Sequence, residues 1–150
     1  MPPAAAFLAG GLGGAACCYW AITGAPDRSR RIFAAGLLIA ASVYVGLALG
    51  GQAPVRWLGL EVIGVIGFAA LALAGLRLST WWLAAGWVLH AAWDIPLHDD
   101  VAFVPRWYPS ACIVFDLLAA VGVAVSMRPA QLPRVVRNGH GAVAGSTDEL

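Results

Sequence analysis

The sequence contains no lysine, and Asp, Glu, Lys and Arg together make up only 11% of its 150 residues. Soluble domains carry about 25% charged residues, so the chain lacks the charge to cover a water-facing surface. Its 9 basic residues, all arginine, nearly balance 8 acidic ones, for a formal net charge of +1. Nucleic-acid binding needs a basic face, so nucleic acid is excluded as a partner. Cysteine is scarce, with 3 in the chain, which excludes a disulfide-stapled secreted module.

Apolar residues are abundant instead, at 61%. A membrane-spanning helix needs roughly 20 mostly apolar residues, because every backbone amide must be satisfied internally. Five stretches meet this, at about 4–23, 32–50, 58–76, 81–98 and 110–127. GAPDRSRR, GQAPVRW, RLST and DDVAFVPRWYP separate them and read as turns. The fold expected is an all-α membrane protein, a five-transmembrane-helix bundle over residues 1–127, whose main partner is the lipid bilayer. Residues 128–150, rich in Pro, Gly, Ala and Arg without apolar periodicity, read as a disordered cytoplasmic tail. The opening MPPAAAF has no basic residue, so the first stretch reads as an anchor helix and not as a cleaved signal peptide. No internal repeat is present.

Arginine placement predicts the orientation. Arg28, Arg30, Arg31, Arg77, Arg128, Arg134 and Arg137 fall on one side of a five-span chain, and only Arg56 and Arg106 on the other. The positive-inside rule then puts the N-terminus outside and the C-terminus in the cytoplasm. Arginine-only basic usage with abundant Ala and Gly suits a GC-rich bacterial genome, hence a bacterial inner (plasma) membrane. Cys17 and Cys18 would lie at the opposite depth from Cys112, beyond the ~4.4–6.8 Å Cα separation of a disulfide. Gly10 and Gly14, Gly46 and Gly50, Ala70 and Ala74, and Ala120 and Ala124 have the small-residue spacing that lets membrane helices approach closely. Trp20, Trp57, Trp81, Trp82 and Trp107 fall at span ends, where rings anchor at headgroup level, whereas Trp87 and Trp93 lie inside the fourth span.

Ionisable residues inside a membrane are costly, so their positions carry the most information. Glu61, His90, Asp94, His98 and Asp116, with Cys112 as a softer companion, all fall in the halves of their spans that face outward in this topology. One outward-opening polar site is expected. At about 1.5 Å per helical residue, His90 and Asp116 share a deeper level and Asp94, Glu61 and Cys112 a shallower one. His98, Asp99 and Asp100 would form the rim.

In HAAWDIPLH, His90, Asp94 and His98 recur every fourth residue and so share one helix face. That spacing suits ligands of one metal ion. His90, Asp94 and Asp116 are the expected metal ligands, with His98 as a fourth ligand or a gate and Glu61 as general base. Mixed His and carboxylate donors suit one divalent ion, zinc foremost, with iron and manganese open. Asp99, Arg106, Trp107 and Tyr108 would line the mouth, where Arg106 could hold an anionic headgroup or phosphate. The function expected is a metal-dependent, zinc-type hydrolase or related enzyme acting on a lipid or amphipathic substrate. Two alternatives stand beside it. The same residues could handle an ion, a proton or a small ligand without catalysis, or the polar cluster of an accessory subunit could only hold the helices together.

HAAWDIPLH followed by WYPSACIVFD (H-x3-D-x3-H, then WYP-x2-C-x3-D) resembles the signature of a family of small bacterial multi-pass integral-membrane proteins of unknown function, over about residues 86–122. That resemblance implies a membrane location and no activity. The tryptophan-rich sensory proteins, which bind porphyrins and sterols, are similar in length and helix number, though their internal motifs are missing here. Membrane hydrolases that include the alkaline ceramidases are similar in setting His and Asp from several helices around zinc, but they have seven spans. Neither outline transfers residue by residue.

Overall fold

The computed structural model describes residues 2–98 and 101–127, all of which are helical or in connections. Five helices follow in order: α1 Pro3–Ile22, α2 Pro26–Gly50, α3 Val55–Arg77, α4 Trp81–His98 and α5 Tyr108–Ser126. The segment 128–150, expected to be a disordered tail, lies outside the described residues.

Four of the helices, all except α4, are long and apolar enough to cross a membrane. The exception follows from composition: α4 holds four tryptophans, His90, Asp94, His98 and an internal Pro96. Three helices have a proline in the first turn, Pro3, Pro26 and Pro109, where its missing N–H costs nothing and its fixed φ suits a helix. This moves the start of α2. GAPDRSRR reads as a turn in the sequence, yet Pro26 starts the helix there and Asp27 sits in the first turn, where its charge suits the dipole. The α2–α3 connection turns through Gln52, which takes a left-handed φ of 51°. Arg30 donates to the carbonyls of Gly75 and Leu76, satisfying orphan acceptors at the end of α3.

The packing is uneven around the bundle. The closest pairs are α1 on α5, α5 on α4, α2 on α3 and α3 on α4, while α1 and α2 barely touch. Glycines allow the tightest approach. A Cβ at Gly10 would overlap the Ala111 backbone, and one at Gly14 would press on Phe115 and Leu118. Gly46 and Gly50, expected from their spacing to serve the same purpose, face open space. The apolar core centres on Phe33, Leu37, Phe68, Leu83, Trp87 and Val123. Outside, large apolar side chains are exposed, among them Leu12, Ile39, Ile63, Ile66 and Val121. Apolar walls around a buried polar cluster fit a helical bundle in lipid.

Candidate functional site

The buried polar and charged residues of the described chain are Ser29, Glu61, His90, Asp94, His98 and Asp116, each at most 2% exposed. All but Ser29 gather in one half of the bundle, nearest the α2–α3 and α4–α5 connections. The four-residue periodicity of α4 turns His90, Asp94 and His98 inward, between α3 and α5.

Two histidine–carboxylate arrays result. In the first, His90 Nδ1 lies 2.8 Å from Asp116 Oδ2, joining α4 to α5. With Nδ1–H donating to the carboxylate, His90 presents the lone pair of Nε2. In the second, His98 sits between two acids, Nδ1 at 3.2 Å from Asp94 Oδ1 and Nε2 at 2.9 Å from Glu61 Oε1. A neutral imidazole has one N–H, so two carboxylate contacts require one further proton within the Glu61–His98–Asp94 array.

Each array leaves a polar atom over. His90 Nε2 and Asp94 Oδ2 are buried and without a hydrogen-bond partner among the described residues. His90, Asp94 and Asp116 each offer a ligand atom within 4.8 Å of the others, close enough to share one metal ion. These are the three residues expected as ligands from the sequence, and the fold brings them together. The packing beside His90, against Tyr44, Glu61, Phe68 and Trp93, leaves no space for a water molecule.

Several expectations shift. His98, expected at the rim, is buried at 1% exposure. In the α4–α5 connection Val104 is buried and Phe103 is set edge-on to Trp57 at 5.9 Å between ring centroids. Both His98 nitrogens face carboxylates, so it stands beside the group of three and is not part of it. Glu61 meets His98 and reaches Asp94 only through it. Cys112 is half-buried on the α5 face that carries Asp116. Trp107 and Tyr108 pack edge to face, 5.6 Å between centroids, at the start of α5. Arg106 is exposed on the connection before that helix. Asp99 and Asp100 lie outside the described residues.

One residue outside the candidates named from the sequence proves central. Tyr44 of α2, 1% exposed, stacks flat on His98, with centroids 3.7 Å apart and planes 9° from parallel. Its ring also meets Tyr108 edge-on at 5.7 Å. Its buried hydroxyl has Asp94, Cys112 and Tyr108 as titratable neighbours, yet no hydrogen-bond partner among the described residues. The available signal was a lone aromatic hydroxyl in an otherwise apolar half-helix, at the depth of the acids.

The model of a family described as "Family of unknown function (DUF6010)" matches residues 7–127. No curated protein and no solved structure matches the chain.

Proposed function

The chain belongs to that family of unknown function, and from this premise we propose that it is a membrane-embedded metal protein whose His90, Asp94 and Asp116 hold one divalent cation, with zinc the ion that suits the donors. The observation that carries this reading is the group itself: His90, Asp94 and Asp116 are buried and each offers a ligand atom within 4.8 Å of the others, and two polar atoms of these residues, His90 Nε2 and Asp94 Oδ2, have no hydrogen-bond partner among the described residues. Leaving such atoms unpaired costs about 1–3 kcal/mol each, which a cation offsets.

Donor chemistry supports the same reading. Glu61, Asp94 and Asp116 set three carboxyl groups against two histidines in an apolar bundle, and a divalent ion would compensate carboxylates there. Once bound, such an ion supplies Lewis-acid activation of water or of a carbonyl. The chain's own residues do the rest. The hydrogen bond between Asp116 and His90 Nδ1 holds the two side chains together across α4 and α5 before an ion binds. His98 orients Asp94, Tyr44 holds the His98 ring by stacking, and Glu61 is the acceptor for a proton leaving through His98. On this reading the protein is a hydrolase or related enzyme on an amphipathic substrate. The proton held in the Glu61–His98–Asp94 array favours a second reading, a proton-handling protein without metal.

Metal analysis of the purified protein separates the two. One equivalent of metal in the wild type, lost in His90→Ala and Asp94→Ala while both still fold, is the expected result. Folded wild-type protein that takes up no zinc, manganese or iron would refute the metal reading.

A further inference from the structure

His98 and Asp94 are buried, but the site is not closed at the side. Because α1 leans on α5 and barely meets α2, a groove of about 380 Å³ remains among the three helices. Ala9 of α1 forms one wall, and Ile39, Ala40 and Val43 of α2 form the other. Trp107 and Tyr108 stand at its outer end, and Cys112 and Asp116 line it one and two turns further along α5. From Trp107 to Asp116 the groove extends about 13 Å along the helix at 1.5 Å per residue.

We infer that this groove admits a single-chain, uncharged amphiphile from the lipid phase and delivers its polar group to Asp116. The inference rests on the metal-site reading for what happens at Asp116, but the groove itself does not depend on a metal. Three observations fix the occupant. The exposed wall, Ala9 and Ile39, is apolar on a bundle whose helices expose many large apolar side chains, so the medium that meets it is acyl chain. The volume lies at the low end of small-ligand pockets, about 300–1,000 Å³, which suits one chain and excludes a two-chain phospholipid. The lining contains no basic side chain, and its one charged residue is Asp116, already bonded to His90. An anionic headgroup finds no counter-charge there. A hydroxyl or carbonyl group finds the Tyr108 hydroxyl, the Cys112 thiol and the carboxylate.

Photo-crosslinking of the full chain in detergent tests this, with a monoacylglycerol carrying a diazirine in its acyl chain as the neutral probe and diazirine oleate as the anionic one. Adducts from the neutral probe should concentrate on 36–43 of α2 and on 9–10 of α1 and be competed by unlabelled monoacylglycerol. Ala9→Trp and Ile39→Trp fill the groove from exposed positions that carry no packing, and each should lower saturable labelling roughly tenfold, equivalent to about 1.4 kcal/mol. Adducts spread equally over the outer face of α3 at Ile63 and Ile66, unchanged labelling in both tryptophan variants, or oleate labelling as well as the neutral probe would each overturn the proposal. Repeating the experiment on chelator-stripped protein separates the two readings. Groove-selective labelling without metal uptake leaves the groove and removes the metal; metal uptake with unselective labelling does the reverse.

Discussion

Asp94 shows how much one carboxylate does here. One oxygen accepts from His98, the other has no partner among the described residues, and the whole side chain is buried. Removing such a residue breaks a buried array, and losing one partner of a buried pair costs about 3–5 kcal/mol. Asp94→Asn, which keeps the shape, is therefore the better test of metal binding. It should fold and lose stoichiometric metal, as read by elemental analysis. Glu61→Gln acts one step further out, through His98. Outer partners of metal ligands are worth roughly 10–100-fold in affinity, so Glu61→Gln should still bind metal, with affinity lowered by that factor in a chelator competition. Unchanged affinity would detach Glu61 from the site. Tyr44→Phe removes an orphaned hydroxyl and keeps the ring on His98. Its stability should rise, by up to about 1–3 kcal/mol, whereas Tyr44→Leu, which loses the stack, should be clearly destabilised in thermal unfolding. His90, Asp94 and Asp116 were legible from the sequence because a charge in an apolar helix announces itself. Tyr44 was not, since a tyrosine in such a helix is ordinary and its role depends on a ring stacked across from another helix.

Helices show the same division between what spacing reveals and what packing decides. Five apolar runs bounded by Gly, Pro and Arg fix five helices, and α1, α4 and α5 lie within two residues of the expected bounds. The start of α2 differs because Pro26 and Asp27 favour a first helical turn more strongly than the arginines after them oppose it. Small-residue pairs were read alike, but only a partner helix gives them meaning. Gly10 rests against the Ala111 backbone, which cannot yield as a flexible side chain would. Gly10→Leu should thus displace α1 from α5 and cost at least the 1–3 kcal/mol or so typical of overpacking. Gly46 meets nothing, so Gly46→Ala should raise stability by about 0.5–1 kcal/mol by removing a mid-helix glycine. Paired thermal melts in detergent check both. Equal effects of the two substitutions would contradict the packing of α1 on α5.

At the scale of the molecule, the charge arrangement remains to be connected to a membrane. Arg28, Arg30, Arg31 and Arg77 stand at the end of the bundle that holds the α1–α2 and α3–α4 connections, and Arg56 and Arg106 at the end nearest the polar site. If the positive-inside rule orients this chain, the site lies toward the outer leaflet. Single cysteines in a chain freed of its own three would report this in intact cells. Gln52→Cys in the α2–α3 connection should react with a membrane-impermeant maleimide from outside, and Thr23→Cys only after permeabilisation. The converse pattern would put the groove and the site toward the cytoplasm. A stronger form of the test moves the charges themselves. Arg30 is unsuitable, because it also holds the last carbonyls of α3. Arg28 lies over the exposed Trp20 ring at 4.8 Å, and Arg31 is exposed, so both can be neutralised at little structural cost. Arg28→Gln and Arg31→Gln combined with Gln52→Arg and Ala53→Arg should therefore shift part of the population to the inverted labelling pattern. If labelling does not move, some force other than arginine asymmetry holds the bundle in its orientation.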